Sequence, residues 1–237
     1  MNAKTGIGKG LAILSLSLAT YASSSFMPER QAMASWQTVQ QVVKRYGPTV
    51  DSQLRAEFSA RGLSYPPAQV TLLGLKHEKR LELWARDAGR WQYVKAWPVK
   101  AASGIAGPKL KEGDRQVPEG FYRISKFNPN SNFHLSLKLN YPNAFDQLQA
   151  KHEGRKNLGG NIFIHGRDRS TGCLAIGDEA IEELFVLIER VGLVNSEVII
   201  APHDLRNRPV DSANAARLGW VGELYQAIET SMQEFRK

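Results

Sequence analysis

Between residues 68 and 99 the chain is built of short apolar runs separated by turn residues. Val70, Leu72, Leu73 and Leu75 form the first run, Leu81, Leu83 and Ala85 alternate with polar neighbours in the second, and Asp87, Ala88 and Gly89 turn the chain into a third over residues 91–99. Alternation with a period of two marks a strand. Strands joined this closely must pair antiparallel, because a parallel connection needs a dozen or more residues. In the third run Tyr93 and Trp97 are expected on one face, Val94 and Ala96 on the other. Further strands are expected at residues 121–124, 133–139, 161–164 and 198–201. In the second of these, Phe133, Leu135, Leu137 and Leu139 would face one way, and His134, Ser136 and Lys138 the other.

Helical spacing brackets this β-rich centre. Trp36, Val39, Val42, Val43 and Tyr46 recur at three- and four-residue intervals until Gly47 and Pro48, where the pattern predicts a break. A second helix is expected over residues 49–60, with Val50, Leu54 and Phe58 on one face and Gly62 as its C-cap. Residues 146–158 read as partly helical, and Asp178 as the N-cap of a helix over 179–191. Residues 212–235 carry Ala216, Leu218, Leu224, Ile228 and Met232 at helical positions. Residues 103–119 form a long loop rich in Gly, Pro and charge, a type that is usually functional or disordered. The sum is an α+β fold: a mostly antiparallel, sandwich-like β domain with helices at both ends and one helix inserted.

The first residues read as an address. Lys4 and Lys9 precede an apolar stretch at 11–19, and Thr20, Tyr21 and Ala22 offer the small residues a signal peptidase reads. That stretch is far shorter than the ~20 residues a bilayer requires, so no membrane-spanning helix is expected after cleavage. No cysteine stands at the end of this stretch, so a cysteine-linked lipid anchor is not expected. The expected organisation is a signal at 1–22, a linker and helical segment at 23–67, the principal domain at 68–203 and a helical extension at 204–237. The net charge of +8 fits an anionic polymer or membrane surface, or simply a solvated basic surface. Without a Lys/Arg tract, zinc-finger spacing or an RNA-binding signature, the chain gives no reason to expect nucleic acid as a partner.

The chemistry concentrates at residues 162–176. Cys173 is the only cysteine, His165 lies eight positions before it, and Gly166, Ser170, Thr171 and Gly172 stand between or beside them. An exported chain with one cysteine has no internal disulfide, so the thiol is either buried and inert or exposed and reactive. A thiol attacks as thiolate and needs a base within reach. His165 would be that base, with its second nitrogen held by a carbonyl such as that of Gly166. Glycine at 166 would allow a sharp turn. The amides of Gly172 and Cys173 would form an oxyanion site, and Ser170 would donate to it or orient the imidazole. His77, His134, His152 and His203 are scattered without metal-ligand spacing, so no metal or other cofactor is expected.

The run His165, Gly166, Ser170, Thr171, Gly172, Cys173 resembles the signature of the L,D-transpeptidase (YkuD-type) family: His-Gly, a short spacer, then Ser-x-Gly-Cys. Gly104, Pro108, Lys109, Glu112 through Arg115, Pro118 through Tyr122, and Tyr141, Pro142 and Asn143 extend the resemblance over about residues 70–200. The resemblance implies an exported enzyme of the bacterial cell envelope or periplasm, acting on peptidoglycan stem peptides. It implies attack at the L-centre of a diaminopimelate residue, a cysteine thioester, and transfer of the acyl group to an amine or water. It makes Cys173 the nucleophile, His165 the base and then the acid, Gly166 the orienting carbonyl, and Ser170 and Gly172 parts of the oxyanion site. Tyr122, His134, Tyr141 and Arg167 become candidates for substrate contact. Many members carry arginine two positions after the cysteine, where this chain has Ala175. Cys-Leu-Ala resembles the YafK-type subgroup, associated also with hydrolytic trimming and with release of a wall-linked lipoprotein. A non-catalytic wall-binding module and an unrelated cysteine peptidase are the competing readings.

Overall fold

The computed structural model describes residues 36–209 and 219–237. The expected signal, the linker through residue 34 and the start of the C-terminal segment, with Ala216 and Leu218, lie outside the described residues. In chain order the elements are α1 (Val39–Ser59), β1 (Gln69–Leu75), β2 (Arg80–Arg86), β3 (Gln92–Pro98), β4 (Gly120–Ser131), β5 (His134–Leu139), α2 (Ala144–His152), β6 (Phe163–His165), β7 (Leu174–Ala175), α3 (Asp178–Val191), a 3-10 turn (Leu193–Asn195), β8 (Ser196–Ala201) and α4 (Gly219–Met232).

The strands form one sheet in the order β3-β2-β1-β8-β4-β5-β6-β7. The expected α+β class holds. All neighbours are antiparallel except β1 with β8 and β6 with β7. The last strand in sequence therefore lies in the middle of the sheet. β4 spans both halves: residues 120–123 pair with β8, and from Ile124 onward it pairs with β5. A bridge between Ala101 and Ala175 joins the segment after β3 to β7, drawing the two sheet edges together.

Burial explains the apolar runs. Leu72, Leu83, Val198, Leu137, Ile164 and Leu174 share a core with Ile181, Leu184, Phe185 and Ile188 of α3. On the opposite face, Leu73, Leu75, Trp84 and Ile199 pack against Leu224, Tyr225, Ile228 and Met232 of α4. β1 and β8 are thus covered on both faces, which is why they read as continuous apolar runs rather than alternation.

Three local expectations change. Gly47 and Pro48 lie inside a single helix, capped by a Thr38–Gln41 box. The apolar stripe Val42, Val43, Val50, Leu54 and Phe58 continues across the proline and is buried, and this packing outweighs one missing hydrogen bond. A Cβ at Gly47 would come 3.2 Å from the Arg190 guanidinium, so the bare backbone lets α3's Arg190 approach and pair with Asp51 at 2.9 Å. In β3, a register shift opposite Leu83 and Trp84 leaves Val94 as an extra residue. A bulge sets two consecutive residues on one side, so Val94 and Trp97 share the main core while Tyr93 packs with the α4 side. Finally, Asp178 is the first residue of α3, not its cap; Gly177 precedes it and gives no side-chain hydrogen bond.

The long loop after β3 is ordered by polar ties. The Asp114 carboxylate accepts from the amides of Leu110, Lys111 and Gln116 and from Lys109 Nζ. Burial works to raise its pKa, but the Lys109 and backbone bonds prevail and hold it below the ordinary value. At the loop's base the buried Glu119 pairs with Lys76 at 2.8 Å and accepts from Gly107 N at 2.9 Å and from Tyr225 of α4 at 2.5 Å.

Phe185 is fully buried and its ring lies 4.8 Å from that of Phe127. Phe185→Ala should cost about 3–5 kcal/mol of stability, read as a lowered midpoint in equilibrium guanidinium unfolding.

Candidate active site

β6 ends on His165, and β7 begins immediately after Cys173. Their parallel register pairs Ile164 with Leu174 and His165 with Ala175. One step back, Cys173 falls beside Phe163. Side chains alternate along a strand, so His165 and Cys173 project from the same face of this two-strand unit, one diagonal step apart.

His165 is held from three sides. It is buried, its ring stacks at 4.6 Å on Phe133, and its Nδ1 donates to the Gly166 carbonyl at 2.7 Å. That bond leaves Nε2 as the acceptor, the form a base requires. Gly166 is glycine for want of space: a Cβ would lie 2.6 Å from Asp178 Oδ1 and 2.7 Å from the Phe133 carbonyl. The left-handed residue in this turn is Arg167, at φ 57°, and its amide donates to Asp178 Oδ1 at 2.7 Å.

Cys173 is half-buried, and its thiol faces the Asn161 carbonyl at 3.7 Å. Burial pushes the thiol above its ordinary value, against smaller pulls from the Phe163 backbone and the Lys109 charge. Burial also lowers His165, partly offset by Gly166. Both shifts favour the neutral forms of the two groups.

The two amides expected to form an oxyanion site are both engaged. Cys173 N donates to Ser170 Oγ at 2.9 Å, and that hydroxyl donates back to the Cys173 carbonyl at 2.6 Å. Gly172 N donates to Ser103 Oγ at 2.6 Å. Ser170 therefore braces the cysteine's own peptide and orients neither the imidazole nor a substrate.

The substrate-contact candidates separate. Tyr122 and Tyr141 are buried, with hydroxyls satisfied internally: Tyr122 by the Glu119 carbonyl and Asp146 at 3.2 Å each, Tyr141 by the carbonyls of Lys109 and Leu158 at 3.3 Å each. Both hydroxyls are thus engaged inside the protein rather than on its surface. His134 points toward α3, where its Nε2 meets Glu182 at 2.6 Å, and its ring packs edge-on against Tyr46. It latches β5 to α3. Arg167 is exposed beside His165 and keeps its candidacy. Sequence reasoning missed Phe133, Asn161, Lys109, Asp178 and Ser103. Alternation places Phe133 on the face of Leu135, Leu137 and Leu139, but His134 has φ 72° and interrupts the alternation, and Phe133 is 40% exposed with its ring on His165. Among the described residues no cluster of His, Cys, Asp and Glu could hold a metal ion.

Residues 74–200 match the family model of the L,D-transpeptidase catalytic domain, YkuD. The chain belongs to this family. It is 30% identical over 115 residues to the YafK protein of Escherichia coli K12, itself named as a candidate L,D-transpeptidase; the match covers 48% of this chain and 44% of that protein. The same figures hold for YafK of E. coli O157:H7. The match thus spans under half the length of these curated relatives. Among solved structures, the helical cell shape determining protein Pgp2 of Campylobacter jejuni aligns with 24% identity and a TM-score of 0.48, over 57% of this chain and 48% of its own. Bd1075 of Bdellovibrio bacteriovorus aligns with 18% identity and a TM-score of 0.43, over 73% and 57%. Among the described residues no helix is long and apolar enough to cross a membrane.

Two pH responses follow. Alkylation of Cys173 by iodoacetamide should rise with a midpoint above the ordinary thiol value, since burial raises the thiol. A midpoint displaced to acid pH would indicate a preformed ion pair. Separately, burial raises the Asp146 carboxyl from 3.8 to about 6. The folded state then holds a proton that the unfolded state has lost, so stability declines as pH rises through that window. Asp146→Asn should flatten the dependence of the melting temperature between about pH 4 and 6.

Proposed function

We propose that the chain is an exported cysteine acyltransferase of bacterial peptidoglycan, acting at the L-centre of diaminopimelate in stem peptides. The observation that carries this reading is His165: its Nδ1 is committed to Gly166, leaving Nε2 as acceptor on the sheet face that also bears Cys173. In the proposed reaction the sulfur attacks the peptide carbonyl carbon as His165 takes the thiol proton. The carbon–nitrogen bond then breaks, and His165 returns the proton to the leaving amine. A thioester on Cys173 remains, and an incoming amine resolves it. The basic charge of the chain suits an anionic wall polymer. Arg167, exposed next to His165, is the proposed contact for a substrate carboxylate. Export to the periplasm rests on the pattern of the first 22 residues.

One observation favours a second outcome, hydrolysis of the same thioester. Ala175 is fully buried between His165 and the Ala101 bridge, so this position offers no cation with which to hold an acceptor. Water would then complete the reaction, trimming stem peptides or releasing a wall-linked lipoprotein. The bracing of the cysteine turn from two sides argues against a wall-binding module that has lost its chemistry.

Purified protein incubated with muropeptides, with and without an amine acceptor, should release the terminal residue and carry a transient acyl mass on Cys173. Cys173→Ala should abolish both while leaving the melting temperature within a few degrees. Turnover by Cys173→Ala would overturn the assignment, and products that ignore the amine would select hydrolysis.

A further inference from the structure

The peptide that carries the nucleophile is held from outside its own turn. Ala101 bridges Ala175 antiparallel, with Ala175 N donating to the Ala101 carbonyl at 3.0 Å. Continued by two residues, that alignment sets Ser103 opposite Cys173. The ladder does not continue in main-chain form. Instead the Ser103 hydroxyl accepts from Gly172 N at 2.6 Å, across 69 positions of sequence, and donates to the Arg115 carbonyl at 2.7 Å. Gly172 has φ 89°, a left-handed conformation in which glycine rotates freely. The peptide before it is pinned by Ser103 and the peptide after it by Ser170. Remove the first tether and the backbone N-terminal to Cys173 regains that freedom.

We infer that Ser103 is a positioning residue for the acyl transfer, orienting Cys173 through the Gly172 peptide and fastening the loop that follows β3 to the cysteine turn. The inference rests on the proposed cysteine acyl chemistry. Attack on a carbonyl demands a defined angle between sulfur and carbon, and small displacements slow it strongly. Alkylation at a methylene carbon makes weaker demands on surrounding donors. Loss of Ser103 should therefore separate the two reactions, whereas a purely structural role would move both together.

The test compares wild type, Ser103→Ala and Ser103→Thr, with Cys173→Ala as blank. p-Nitrophenyl acetate serves as acyl donor: the sulfur–carbon bond forms, nitrophenolate leaves and the thiol proton passes to His165. Ser103→Ala should acylate about tenfold more slowly at saturating ester, the equivalent of one positioning hydrogen bond. Its iodoacetamide rate should stay within about twofold, and Ser103→Thr, which keeps the hydroxyl, should restore acylation. Hydrogen exchange at the ¹⁵N-labelled Gly172 amide should be slow in wild type, fast in Ser103→Ala and slow again in Ser103→Thr. Equal acylation by wild type and Ser103→Ala, a parallel fall in both reactions, or failure of threonine to restore the rate would each overturn the inference. So would equal Gly172 exchange in wild type and Ser103→Ala, whatever the activity. A wild type that is alkylated but takes no acyl group from either ester or stem peptide would instead overturn the acyl-transfer reading.

Discussion

The ladder formed by β1, β8 and β4 is the constraint on which the rest depends. β8 pairs parallel with β1 and antiparallel with β4, so the end of the domain is built into its centre. Its two faces feed two cores, one closed by α3 and the other by α4. β4 then carries the sheet from this ladder to β5, and β5 positions β6 through the pairing of Ser136 with His165. His165 is thus placed by a chain of strand pairings that starts at the doubly covered centre of the sheet. Pairing between distant segments carries a loop-closure cost that local contacts do not repay, which ties the site's geometry to the integrity of the whole sheet.

Around the thiol the protein combines burial with bracing. Burial raises Cys173 and lowers His165, and both shifts favour the neutral forms. Bracing accompanies it: the Gly166 carbonyl accepts from the imidazole, Ser170 holds the amide and carbonyl of Cys173, and Ser103 accepts from the Gly172 amide just before it. The loop from 103 to 119 belongs to the same assembly, anchored at its far end by the buried Glu119, Lys76 and Tyr225. Through Tyr225 the C-terminal helix becomes a support for the loop as well as a cover for the sheet.

Much of this was legible in the residues. Alternation at 81–85 and 135–139 marked strands, and the single cysteine with an upstream His-Gly pair marked the site and its family. The Gly166 carbonyl as the imidazole's partner was expected and is found. The misses share a cause. Pro48 breaks a helix by local rules, yet a buried stripe on both sides of it keeps α1 whole. Tyr122 and Tyr141 are candidates for substrate contact through the family resemblance, but neighbouring carbonyls and Asp146 take up their hydroxyls inside. Local signals report what a residue offers, and long-range packing settles what it meets.

The sequence by itself determined the strand-rich α+β class and singled out Cys173 and His165 as the candidate pair, because these depend on residue type and on spacing within a few positions. Only the tertiary structure decided that β8 is central, that Phe133 lies on His165 and that Ser103 holds the amide beside Cys173. Each of these joins segments tens of residues apart, and no local periodicity records which partner a distant strand or hydroxyl will find.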